Sequence, residues 1–141
     1  MTWHYGRLID HVHLRTKDFP ATRKFYYALF EVLGLTVEHS GDDWFQLDEL
    51  YVNPAAGDAP PTHVHLAFQA RDHAMVQAFH RAGLAAGGTD NGAPGERPYH
   101  PGYYGCFLLD PDGNNIEAVF HGPATRSAAS VELETIMPPK A

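Results

Sequence analysis

Ten of the 141 residues are histidine, the side chain that most readily turns to metal ligation or proton transfer near neutral pH. Position, more than number, separates chemistry from surface polarity. His11 and His65 head two similar segments 54 residues apart, His11-Val-His-Leu-Arg-Thr-Lys-Asp18 and His65-Leu-Ala-Phe-Gln-Ala-Arg-Asp72. In the first, Leu8, Val12 and Leu14 share one parity, and Ile9, His11, His13 and Arg15 the other. In the second, Val64, Leu66 and Phe68 alternate with His63, His65, Ala67 and Gln69. A strand patterned this way lays its apolar side on a helix layer and turns its histidines to the opposite face. Glu117 interrupts a third run, Asn115–Phe120, with parity opposite to Ile116, Ala118 and Phe120. A carboxylate among apolar residues needs a partner or a cation. Two imidazoles and one carboxylate with open positions suit Fe(II), Mn(II), Ni(II), Zn(II) or Co(II).

The frame around these residues is repeated. At the same offset Leu14 matches Phe68, Lys17 matches Arg71, Asp18 matches Asp72, Phe25 matches Phe79 and Gly34 matches Gly88, while Leu33 falls opposite Gly87. Each half predicts a strand (8–16 and 63–70), a capping Asp, and a helix (19–33 and 73–86) that ends at glycine. Short strands follow near 35–40 and 43–53, with a Gly41-Asp42 turn between them. Residues 55–61 read as a Pro/Gly/Ala linker and 88–104 as a long loop with one short strand. Tyr104–Leu109 and Asn115–Phe120 form a hairpin around Asp110-Pro-Asp-Gly113. Residues 123–141 read as a tail with one strand at 131–136. The expectation is an α+β fold, one domain over 7–122, built from two modules (about 7–56 and 62–122). Their sheets enclose a cavity and their helices lie outside.

Composition narrows the partners. A hydrophobic fraction of 44% with 12% aromatic residues fits a packed globule. A net charge of −7 without a basic run argues against nucleic acid and anionic membranes. A single cysteine, Cys106, allows no internal disulfide. With neither a leader-like apolar stretch at 1–7 nor a long apolar run, the expectation is a cytoplasmic protein that meets no membrane.

The duplicated His11/His65 frame, with Asp110-Pro-Asp-Gly-Asn-Asn-Ile-Glu117, resembles the vicinal-oxygen-chelate superfamily over about residues 7–122. This is the group of glyoxalases, bleomycin resistance proteins and extradiol dioxygenases. The resemblance implies paired βαβββ modules, a divalent metal at the interface of the two sheets, and His11, His65 and Glu117 as its ligands. It also implies a homodimer, to which the alternating tail strand could add an edge. A further ligand in this superfamily, usually Glu, comes from the last long strand of the first module. The segment assigned to it here, Trp44–Asp48, offers only Gln46 or Asp48, which departs from glyoxalase I. Extradiol dioxygenases carry Tyr ten residues before the Glu, where this chain has Phe107. Fosfomycin-modifying relatives need a cationic pocket, whereas the loop Arg97–Tyr104 offers Arg97, His100 and three tyrosines, Tyr99, Tyr103 and Tyr104, a set suited to a planar ligand. Gly92-Ala-Pro-Gly-Glu-Arg-Pro98 matches a run in small bacterial members of the group.

Two functional readings stay open. In one, the chain is a metalloenzyme of lyase, isomerase or dioxygenase type. Its metal chelates two neighbouring oxygens of a small substrate, His13 or His100 moves a proton, and Arg97, Tyr99 and Tyr103 bind substrate. In the other, the same cavity sequesters a drug or metabolite without turnover.

Overall fold

The computed structural model describes residues 2–134. Two four-stranded sheets with matching topology carry the molecule. The first contains β2 (Val12–Thr16), β3 (His39–Gly41), β4 (Trp44–Leu47) and β5 (Leu50–Pro54), in the order β2-β5-β4-β3. The second contains β6 (His65–Gln69), β7 (Thr89–Glu96), β8 (Tyr104–Leu109) and β9 (Asn115–Phe120), in the order β6-β9-β8-β7. In each, the first strand runs parallel to the last and the other pairings are antiparallel. Helices α1 (Phe19–Val32) and α2 (His73–Ala85) follow β2 and β6. These are the two expected βαβββ modules.

The helices start where the sequence marks them. Asp18 accepts from the Ala21 N–H, and Asp72 from the Met75 N–H, each satisfying a donor that the first helical turn leaves free. One core joins both modules. Leu14, Phe25, Leu29, Phe45 and Val52 are buried together with Val76, Phe79, Leu108, Ile116 and Ala118. Gly83 permits close packing there, since a Cβ on it would meet Leu108 Cδ1 at 2.3 Å. The apolar parity of every central strand faces this core, which leaves the other parity for chemistry.

Four details differ from the sequence expectation. The first strand begins only at Val12, and Leu8, placed on the apolar face, is 94% exposed because the chain has not yet joined the sheet. The expected strand over 43–53 is a hairpin, turning at Asp48 with φ of 48°. The one short strand expected within the loop over 88–104 is the eight-residue β7, longer than expected, whose register shifts between Asp90 and Gly92 and again between Gly92 and Gly95 accommodate its glycines. Finally, the tail strand β10 (Val131–Glu134) pairs with an unanticipated N-terminal strand, β1 (Thr2–Tyr5), in the same chain. Residues 135 and 136 of the expected tail strand lie outside the described residues. Among the described residues no helix is long and apolar enough to cross a membrane.

Candidate metal centre

The second module organises its polar face around Glu117. In the parallel register Ala67 stands opposite Glu117, and Phe107 opposes it on the other side. Ile116 and Ala118 turn into the core, so Glu117 points away from the helices, yet it is only 2% exposed. His65, two residues before Ala67 on the same face, brings Nε2 to 2.9 Å from Glu117 Oε1. Tyr103 donates its hydroxyl to Oε2. Both carboxylate oxygens are thus occupied by side chains that a metal could replace or share.

The hairpin motif fixes this geometry. Asp110 Oδ1 accepts from the N–H groups of Asp112 and Asn114, and Oδ2 accepts from Asn114 Nδ2 and the Tyr26 hydroxyl. Asn114 Oδ1 in turn accepts from the Val64 N–H. The turn therefore ties β9 to the start of β6 and sets the register that delivers His65 to Glu117. Burial, reinforced by Asp110, holds the Tyr26 hydroxyl well above the ordinary phenol range. Gly105 leaves the room for the cluster. A Cβ there would lie 3.2 Å from Glu117 Oε2 and 3.4 Å from Tyr103 Cε1.

The remaining predicted loop residues gather beside this cluster in different ways. The Arg97 guanidinium donates to the Ala93 and Glu96 carbonyls and covers the Phe107 ring at 5.3 Å, while Phe107 lies 6.1 Å from the His65 ring. Tyr99 is 65% exposed and meets Tyr103 edge-on at 4.8 Å. His100 Nε2 is 2.9 Å from His121 Nδ1, and the His100 ring meets Tyr103 edge-on at 5.4 Å. His121 had no motif to announce it in the sequence. Burial, then the bond to Glu117, raises the Tyr103 hydroxyl far above the ordinary phenol range, so it stays protonated as a donor.

His11 and His13 sit in the first module. His11 precedes β2, is 55% exposed, and pairs with Asp10 at 2.7 Å. Among the described residues, no three His, Cys, Asp or Glu side chains converge on a common metal position, so one chain brings together His65 and Glu117 but does not add His11. His13 Nε2 lies 2.6 Å from Asn53 Oδ1, and its ring meets Tyr51 edge-on at 5.0 Å. The register corrects the expected place of a first-module carboxylate. The counterpart of β9 is β5, not the Trp44–Asp48 segment. Gln46 is buried and donates to the Asp48 carbonyl, and Asp48 is a turn residue.

Sequence comparison gives this arrangement its relatives. The profile of the Glyoxalase/Bleomycin resistance protein/Dioxygenase superfamily matches residues 8–118. The chain belongs to that superfamily. Among solved structures, a glyoxalase/bleomycin resistance protein from Albidiferax ferrireducens T118 is 31% identical, with a TM-score of 0.67, covering 79% of this chain and 97% of its own. A lactoylglutathione lyase from Agrobacterium tumefaciens, 21% identical with a TM-score of 0.54 over 77% of this chain and 90% of its own, shares the fold. Oxidase ChaP-H1 is 26% identical, with a TM-score of 0.52 over 77% and 91%. No curated protein matches the sequence. Superfamily membership supports the paired modules, and the names of these relatives span a lyase and an oxidase.

The donor set at Glu117 fits a divalent transition metal. It combines an imidazole with a shielded carboxylate, the chemistry such ions take in sites that keep open positions.

Proposed function

We propose that the protein is a metal-dependent enzyme of the lyase, isomerase or dioxygenase kind, acting on a small substrate with two adjacent oxygens. His65, Glu117 and His11 are the ligands, and the cation is Zn, Ni, Fe, Mn or Co. The observation that carries this reading is the His65–Glu117 pair at 2.9 Å, on a carboxylate 2% exposed. When bound, such an ion acts as a Lewis acid toward the substrate oxygens. Tyr103 orients the Glu117 carboxylate, Arg97 and Phe107 wall the approach, and Tyr99 borders it. His13 and His100 are the proton-transfer candidates. His100, with His121 behind it, reaches the Glu117 cluster through Tyr103.

His11 requires a second copy. The chain around it exposes Leu8 and Ile9, at 94% and 55%, beside an apolar hollow of about 340 Å³ that also contacts Val12, Leu66 and Phe68. We propose a homodimer in which this edge seats on another protomer and His11 completes its partner's His65–Glu117 pair. Mixing tests it. His11→Ala and Glu117→Gln proteins should each fail to hold Co(II), and unfolding and refolding them together should restore roughly a quarter of the sites, one in each mixed dimer. Failure of the mixture to recover any site would contradict the shared arrangement. Sedimentation should give twice the 15.6 kDa chain mass.

The aromatic residues Trp44 and Tyr51, stacked at 6.0 Å on the polar face of the first module, favour one alternative, a protein that only sequesters a planar ligand. Turnover of a vicinal-oxygen substrate that stops on chelation and returns with Co(II) separates the enzyme from this reading.

A further inference from the structure

The two modules can be superposed residue by residue through their strand pairings. The offset that carries His11 onto His65 carries His13 onto Ala67. His13 stands opposite Tyr51 in the β2–β5 register, as Ala67 stands opposite Glu117 in the β6–β9 register. On the third strand, Gln46 opposes Tyr51 as Phe107 opposes Glu117. Tyr51 is therefore the internal counterpart of Glu117: the first module places a phenol where the second places a carboxylate.

The surroundings of Tyr51 are organised. Its ring stacks on Trp44 at 6.0 Å and 17°, and His13 meets it edge-on at 5.0 Å and 76°. Asn53, on the same face, holds His13 at 2.6 Å. Leu14, Phe45, Leu50 and Val52 supply the opposite face and are buried, while His13, Trp44, Tyr51 and Asn53 are only half-buried. A phenol can donate a hydrogen bond where an ionised carboxylate can only accept one, and donors to charged oxygens make the stronger bonds. Burial and the neighbouring Asp43 keep the Tyr51 hydroxyl above the ordinary phenol range. A partly exposed indole face beside such a donor accepts planar, conjugated groups.

We infer that Tyr51 is a ligand-positioning residue, which donates its hydroxyl to an oxygen of a planar, oxygen-bearing ligand stacked on Trp44. The inference deepens the metal reading above and rests on it. It also explains why the first module can do without a carboxylate. In the shared site the first module adds orientation and a hydrogen-bond donor to His11, and the second contributes His65 and Glu117.

The test uses 4-nitrocatechol, a planar coloured probe with two adjacent oxygens, and L-lactate, which has adjacent oxygens but no conjugated plane. Both are titrated into the full chain loaded with Co(II). Tyr51→Phe should weaken 4-nitrocatechol by about tenfold, the loss expected for a hydrogen bond to a charged oxygen, and leave the Co(II) spectrum and stoichiometry unchanged. Trp44→Ala should weaken 4-nitrocatechol but not lactate. The proposal is overturned if Tyr51→Phe binds the probe within about twofold of wild type. It is overturned equally if the variant loses the Co(II) spectrum, which would make Tyr51 a metal ligand, or if the wild type does not bind the probe. A wild type that takes up no Co(II) overturns the metal reading instead, and Tyr51 is then judged by the same comparison of probe affinities on metal-free protein.

Discussion

His65 Nε2 lies 2.9 Å from Glu117 Oε1, although 52 positions separate the two residues and they stand on different strands. Their meeting follows from a parallel register that the turn leading into β9 enforces. Tyr26 on α1 and Asn114 in the turn both bind Asp110, and Asn114 also holds the Val64 N–H next to His65.

That turn should be measurable as stability. Tyr26→Phe removes a donor from Asp110, which is 4% exposed, and should lower unfolding stability by about 1–3 kcal/mol. Denaturant titration at neutral pH checks this. Asn114→Ala should cost as much and in addition weaken metal uptake, because it releases the β6–β9 register. A destabilised Asn114→Ala protein that binds metal as wild type does would separate the turn from the site.

Tyr103 and the metal share one carboxylate. Tyr103→Phe strips Glu117 Oε2 of its donor inside a shielded pocket, so the metal-free variant should melt below wild type. Co(II) should then raise its melting temperature by more than it raises that of wild type, since the ion satisfies what the hydroxyl no longer does. An equal rise in both proteins would show that the hydroxyl and the ion do not meet at Glu117. His100→Ala lies on the surface and should leave the melting temperature nearly unchanged, within about 0.5 kcal/mol of stability. Loss of ligand affinity in that variant would give His100 a role in the site.

Gly105 should tolerate no side chain without a functional cost. Gly105→Ala puts a methyl group 3.2 Å from both Glu117 Oε2 and the Ala118 carbonyl oxygen. The carboxylate or the Ala118 carbonyl must give by a few tenths of an ångström, so metal affinity should fall while the circular dichroism of the fold is kept. Unchanged affinity would show that the cluster has slack.

Cys106 should be inert in the native protein. Burial pushes its thiol up to about 11, so the thiolate that attacks a disulfide reagent is scarce at pH 8. Labelling should therefore track unfolding. Because the folded state disfavours the charged form, stability linked to this group is present at neutral pH and is lost as pH rises toward 11. Fast labelling of folded protein at pH 8 would contradict this.

Much of this was legible in the residues. The 54-residue offset exposed the duplication because strand alternation and capping aspartates recur whenever a module is copied. The parity of His65 and Glu117 placed both on the face away from the helices. The position of Tyr51 was not legible, because a hairpin at Asp48, in the left-handed conformation, splits what reads as one strand and shifts the segment that corresponds to β9. The strand β7 read only as one short strand within a loop, because glycine and proline weaken strand propensity but are tolerated at bulges. β1 and β10 are short and far apart in the chain, so their pairing depends on contacts such as the stack of Trp3 on His39 at 3.4 Å, which no local pattern encodes. The separation of His11 from Glu117 within one chain is likewise a matter of tertiary placement, not of strand parity.

The most direct test of the metal centre is calorimetric titration of Co(II) into chelator-treated wild type, His65→Ala and Glu117→Gln at neutral pH, repeated on acidification. The account predicts one ion per chain for wild type. It predicts weaker binding as protons compete for the imidazole ligands, and losses in both variants beyond the roughly 10–100-fold that changes outside the ligand shell produce. Wild-type affinity in Glu117→Gln would contradict it.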